Sequence, residues 1–254
     1  MKKTLGALFL LIVFLVVFDE LFNSHSHVKT PIEECRTFND DKDYERAIES
    51  GKLAIEKYPD NSDAYRCLGT AYYNAGELNL AYENMKKVES LTNDKRSLID
   101  VYKQIGEILH KMGRLDDAVS YYDKALKVIE DLEIKSLNDK DPNDIVNRFY
   151  EDLMEGDRIK ILNSIALIYE EKGQLDKALN YYRESLNSTV DKKEKATIYK
   201  YIARIYDKKG DRQKAVEYMR KAIELNKKAE ENEDNSDNWR FFRYNRKRSI
   251  KYIK

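Results

Sequence analysis

The chain has 254 residues, 46 basic and 46 acidic side chains for a formal net charge of +0, 42% apolar residues, and only 9 Gly and 3 Pro. That length allows one or two domains with a sizeable core. So few turn residues exclude a sandwich or barrel, which needs them about every 8–12 positions, and equally a disordered low-complexity chain. Zero net charge argues against nucleic-acid binding, whose affinity rests on neutralising phosphates; no nucleic acid is expected as a partner. The balance is nevertheless an average. Lys2 and Lys3 stand at the start and seven bases lie in Arg240–Lys254, leaving 37 bases against 46 acids between them, a body of −9 with a basic tail.

The N-terminus reads as a targeting segment. Lys2-Lys3 precede the apolar run Leu5–Phe18, which Asp19-Glu20 close. A short cationic stretch before such a run has the layout of a secretory signal. The run's 14 residues fall short of the about 20 that cross a bilayer, and the 18 positions counted with Leu21 and Phe22 just clear the lower limit of about 17. Ser24-His25-Ser26 is a weak cleavage site, and no lipobox precedes Cys35. Residues 1–22 are therefore read as an uncleaved signal anchor, with a cleaved signal peptide as the alternative, and 23–27 as a linker. The positive-inside rule keeps the two lysines cytoplasmic and exports the body. The expected location is a single-pass membrane protein with its body exported, or a secreted protein if the segment is cleaved.

A repeat governs the middle of the chain. Gly76, Gly113, Gly173 and Gly210 sit in one frame. Tyr65, Leu68, Gly69 and Tyr72 precede the first glycine, and Leu78, Ala81, Met85 and Val88 follow it. The offsets recur in Tyr102, Ile105, Gly106, Leu109 and Leu115, Ala118, Tyr122, Ala125. They recur again in Leu162, Ile165, Ala166, Tyr169 and Leu175, Ala178, Tyr182, Ser185. The last set is Tyr199, Ile202, Ala203, Tyr206 and Arg212, Ala215, Met219, Ala222. Apolar residues at 0, 3, 4 and 7 make one helical face. Glycine ends that helix in a left-handed turn, and the residues after it form the face of a second helix. Small residues at Gly69, Gly106, Ala166 and Ala203 allow two backbones to approach. Such a hairpin cannot bury its face alone, so hairpins must stack.

On these residues the chain resembles the tetratricopeptide repeat family, the Tyr-x2-Leu-Gly-x2-Tyr…Ala-x3-Met stretch from Tyr65 matching its pattern. A degenerate earlier copy carries Phe38, Tyr44, Ala47, Gly51, Ala54 and Pro59, with Cys35 and Lys42 replacing the usual small residue and Gly. The resemblance implies an all-α, right-handed superhelical solenoid of helix hairpins over 28–229. Its repeats would be 28–61 (degenerate), 62–95, 99–132, 159–192 and 196–229. It also implies that first helices of successive hairpins line a concave groove holding an extended peptide or a partner helix. Transferred position by position, the lining is Arg66, Thr70 and Tyr73; Lys103, Glu107 and His110; Asn163, Leu167 and Glu170; and Lys200, Arg204 and Asp207. Each triplet follows i, i+4, i+7, one helical face. Its basic members point to an acidic or carboxylate-bearing ligand, although Thr70 and Glu107 break the family's clamp for acidic chaperone C-termini.

Spacing departs from the family period of 34. Lys42 to Gly76 is 34 residues, but Gly76 to Gly113 and Gly173 to Gly210 are each 37, and Gly113 to Gly173 is 60. The extra residues fall at about 133–158. Asp141-Pro142 reads as a cap with proline at the first helical position, followed by a stripe of Ile145, Phe149 and Leu153 with Val146, Tyr150 and Met154. That stripe lies roughly half a turn out of phase with Ile165-Ala166. With Gly156-Asp157 offering a break and a new cap, a separate inserted helix is expected over Pro142–Glu155.

Beyond residue 229, Glu230–Asp237 reads as a loose acidic linker. Trp239, Phe242, Arg246, Ile250 and Ile253 recur at helical spacing among basic residues. Repeat arrays need a terminal cap, and Trp239 and Phe242 are expected to supply it; a lipid or partner surface is the alternative use of this tail.

Catalytic chemistry is scarce. Three His and two Cys cannot build most metal or nucleophile sites. His25-x-His27 lies in the linker, and His110 has no ligand-type neighbour in sequence. Cys35 occupies a small-residue core position and reads as a buried thiol, although an exported location permits a disulfide with Cys67. There is no C-x-x-C, G-x-S-x-G, P-loop or H-E-x-x-H. The 19 tyrosines fall mostly at core offsets. No enzyme, metal or cofactor is expected. The function expected is a non-catalytic protein-binding scaffold tethered at or exported across the membrane; the alternative is a soluble regulatory sensor binding a short signalling peptide.

Overall fold

The computed structural model describes residues 29–138 and 145–249, with side chains over 29–134 and 153–230. Every element among the described residues is an α-helix. The chain divides into two compact units, Met1–Leu91 and Thr92–Lys254. The targeting segment of residues 1–22 and His25-x-His27 lie outside the described residues. Among those described, no helix is long and apolar enough to cross a membrane.

The first unit holds α1 (Pro31–Asp40), α2 (Tyr44–Lys57), α3 (Ser62–Ala75) and α4 (Leu78–Leu91). A capping box starts α1. Thr30 Oγ1 accepts from the Glu33 backbone N–H at 3.3 Å, and the Thr30 N–H donates to Glu33 Oε2 at 2.7 Å, with Pro31 at the first helical position. The degenerate repeat is thus a real hairpin. Its turn falls on Lys42 at φ 62, where the other hairpins place Gly76, Gly113, Gly173 and Gly210 at φ 71 to 86.

Cys35 departs from the expected buried thiol: it forms a disulfide with Cys67, joining α1 to α3. The two first helices pack side by side and hold the Cα atoms 6.2 Å apart, within the range a disulfide requires. Asn39 braces the bridge, its Nδ2 donating to the Cys67 carbonyl at 3.3 Å.

The second unit stacks three hairpins: α5 (Lys95–Lys111) with α6 (Leu115–Asn138), α7 (Ile145–Glu171) with α8 (Leu175–Asn187), and α9 (Lys192–Lys208) with α10 (Arg212–Ser249). Asp94 and Asp191 cap α5 and α9, accepting from the backbone N–H of Ser97 at 2.7 Å and Glu194 at 2.8 Å. Within the first hairpin the Tyr122 ring of α6 lies so close against α5 that a Cβ on Gly106 would stand 2.7 Å from it. Between hairpins the core repeats: Leu179 and Tyr182 of α8 lie buried with Ile198, Ile202 and Ile205 of α9. An ion pair repeats as well, Lys172 with Asp116 and, one repeat on, Lys209 with Asp176.

Two expectations are corrected. The insert is not a separate helix ending at Gly156; α7 runs unbroken from Ile145 to Glu171, while α6 extends to Asn138 to meet it. The apolar stripe resolves in favour of continuity because Met154, 4% exposed, falls on the face of Ile161, Ile165 and Ile168, whereas Leu153 is left 45% exposed. Arg158 of α7 pairs with Glu133 of α6 at 2.5 Å, fastening the two extensions. One interior glycine costs a helix about 1 kcal/mol relative to alanine, less than breaking this packing. Likewise Glu230–Asp237 is not a loose linker but part of α10, which runs on to Ser249. On α10, Val216 and Ile223 are exposed although Val119 and Leu179, which match Val216 in the frame, are buried under the next hairpin. The capping side chains expected at Trp239 and Phe242 lie outside those described.

Candidate functional site

In the second unit, α5, α7 and α9 lie side by side in that order. Lys103 of α5 pairs with Asp157 of α7 at 2.5 Å, and His110 Nε2 lies 2.8 Å from Glu171 Oε2. Glu170 of α7 in turn accepts from Arg204 Nη2 and Lys208 Nζ of α9, both at 2.7 Å. Nine of the twelve predicted groove residues therefore share this unit. Arg66, Thr70 and Tyr73 belong to the first unit, where all three are half-buried on α3 and Thr70 Oγ1 donates to the Arg66 carbonyl at 2.9 Å.

The ion pairs change what the lining offers. Arg204 and Lys103, expected to face an acidic ligand, are engaged within the fold. Arg204 makes a two-pronged contact with Glu170, Nε to Oε1 at 2.8 Å and Nη2 to Oε2 at 2.7 Å. Glu170 is 5% exposed, so it is a structural anion and no ligand contact. Burial pushes its carboxyl upward, but the hydrogen bonds from Arg204 and Lys208 outweigh that and hold it below the ordinary value. The Tyr182 hydroxyl joins the cluster at 3.4 Å from Oε2, its own ionisation pushed up by burial and by the Glu170 charge.

Glu107, Leu167, Lys200 and Asp207 remain exposed on this face, and no ion pair engages the three charged ones among the described residues. Partial desolvation raises the Glu107 carboxyl, with Lys103 and Lys111 pulling the other way. Leu167 is 37% exposed, a large apolar side chain in the middle of the row. Asn163 is half-buried and its Oδ1 has no hydrogen-bond partner. Sequence reasoning missed Asp157, Glu171 and Lys208. Glu170 and Arg204, 34 residues apart, lie in successive repeats but not at equivalent positions, whose spacing here is 37, so the repeat frame alone does not pair them. Asp157 reaches Lys103 only because the insert continues α7. Among the described residues, no group of three metal-type ligands forms.

The arrangement defines a stacked helix-hairpin array. Models of the tetratricopeptide repeat match residues 99–132 and 157–228. A region of 105 residues is 25% identical to DnaJ homolog subfamily C member 3 of Gallus gallus, covering 38% of this chain and 21% of that protein. A region of 95 residues is 30% identical to a TPR repeat-containing protein of Methanocaldococcus jannaschii, covering 37% of this chain and 16% of that protein. The matched region thus spans about a fifth of the length of these curated relatives. Among solved structures, a MamA crystal structure is similar with a TM-score of 0.56 at 22% identity, covering 78% of this chain and 96% of that one. YrrB is similar with a TM-score of 0.51 at 18% identity, covering 80% and 89%. Residues 99–132 and 157–228 are thus tetratricopeptide repeats.

Proposed function

We propose that this protein is a non-catalytic interaction scaffold, positioned on the exported side of a membrane, whose second unit holds a peptide or a partner helix in the groove of α5, α7 and α9. The observation that carries the reading is Leu167, a large apolar side chain left exposed at the centre of that face. An apolar side chain exposed among charged neighbours suits a peptide or partner helix, which brings apolar side chains to cover it. YrrB is described as having an unusual peptide-binding site, which supports the reading by analogy of fold alone. Export is supported by the Cys35–Cys67 disulfide, since such bonds persist in oxidising compartments, and by the cationic and apolar layout of residues 1–22.

Affinity capture of the full chain from detergent-solubilised membranes tests the groove. A stoichiometric partner recovered with wild-type protein should be lost with Leu167→Asp while the helical melting curve is unchanged. Equal recovery by both proteins removes the groove reading. Protease added to intact cells tests the location: the body should be digested only where the exported side is accessible.

A further inference from the structure

The ion pairs of the second unit leave the groove with opposite charges at its two edges. On α5, Lys103 is spent on Asp157 and Asp100, and His110 meets Glu171, leaving Glu107 as an exposed carboxylate. On α9, Arg204 and Lys208 together serve the single carboxylate of Glu170, leaving cationic surplus, and one turn away Lys200 is exposed with no ion-pair partner among the described residues. Exposed Asp207 lies seven residues from Lys200, about 10 Å along the helix, a full screening length away at physiological salt. Leu167 of α7 stands between the two edges.

We propose that this groove is bipolar and takes an extended peptide bearing a basic, an apolar and an acidic residue in that order from α5 to α9, met by Glu107, Leu167 and Lys200 respectively. Helices bridged by ion pairs, as α5 to α7 and α7 to α9 are, stand about 10 Å apart, the upper end of the packed range, and an extended chain advances about 3.3 Å per residue, so the three peptide residues recur at roughly three-residue spacing. A purely acidic ligand, which four basic lining residues suggested, would meet the Glu107 carboxylate, whose charge Lys103 and Lys111 offset only in part and without an ion pair. Like charges brought together at an interface cost several-fold to many-fold in affinity and so select against such a partner. This inference rests on the groove reading above and adds the chemistry of its occupant.

A phage-displayed library of random dodecapeptides selected on the full chain tests it. Enriched sequences should carry base, apolar residue and acid at three-residue intervals. Selection on Glu107→Lys should replace the base with an acid, and selection on Lys200→Glu should replace the acid with a base. A synthetic peptide of the wild-type consensus should bind either variant at least about tenfold more weakly by fluorescence anisotropy, with unchanged melting curves. Enrichment of wholly acidic peptides, a charge pattern that ignores the two variants, or a helical six- to seven-residue spacing overturns the bipolar extended assignment and leaves the groove standing. No enrichment, or consensus binding that Leu167→Asp does not weaken, overturns the groove itself.

Discussion

Glu170 of α7 lies buried against Arg204 of α9, accepting from Nε at 2.8 Å and from Nη2 at 2.7 Å, with Lys208 completing the cluster. Three charges from two successive hairpins thus meet between α7 and α9, and they bind the hairpins together.

Because the folded-state carboxyl of Glu170 titrates below its ordinary value, its contribution is present above the unfolded value and is lost as pH falls through the folded one. Glu170→Gln should cost about 2–3 kcal/mol near neutral pH, since it leaves two cations without their anion. Urea unfolding should show the gap between the two proteins closing as pH drops below about 4.5. A gap of the same size at low and neutral pH would remove the charge cluster from the account of stability.

The Cys35–Cys67 bridge closes a loop with a sequence separation of 32. Constraining the unfolded chain over that length is worth about 3–4 kcal/mol. A Cys35→Ser, Cys67→Ser protein should melt correspondingly lower, and reductant should lower the wild type but not the double variant. Two titratable thiols in unreduced, unfolded wild-type protein would refute the bridge.

Lys42 holds a left-handed turn at φ 62 that glycine occupies in the other four hairpins. Side chains bearing a Cβ are penalised there, so Lys42→Gly should stabilise the protein by about 0.5–1 kcal/mol after the entropy cost of glycine. Chemical denaturation measures it, and a loss of stability would show that Lys42 makes a compensating contact.

Gly156 sits inside α7 with nothing within 4 Å of an added Cβ. Gly156→Ala should therefore gain about 0.5–1 kcal/mol, while Gly156→Pro should lose about 3 kcal/mol or more by interrupting the helix. Hydrogen exchange should show protection running through residue 156. Rapid exchange at that point would restore the separate inserted helix.

The hairpins were legible because their information is local. Gly113 and Gly173 mark left-handed turns, Gly106 marks a close approach, and the apolar offsets around them recur in frame. The insert was misread because its stripe contains residues of both faces. Counting Leu153 and Met154 together shifts the apparent centre by half a turn, and only packing against α6 distinguishes the exposed one from the buried one. The availability of the predicted lining residues was not legible. Whether Lys103 or Arg204 is available to a ligand depends on Asp157 and Glu170, which reach them across neighbouring helices.

By itself the sequence determined that this is an all-helical repeat protein with few catalytic resources, since periodicity and turn chemistry are encoded within each hairpin. The tertiary structure decided that Cys35 and Cys67 meet, that α7 continues through the insert, and that Glu107 and Lys200 stay exposed while Lys103 and Arg204 are drawn into ion pairs. Each of those outcomes depends on contacts between residues from 25 to 61 positions apart, which stacking sets and local pattern does not carry.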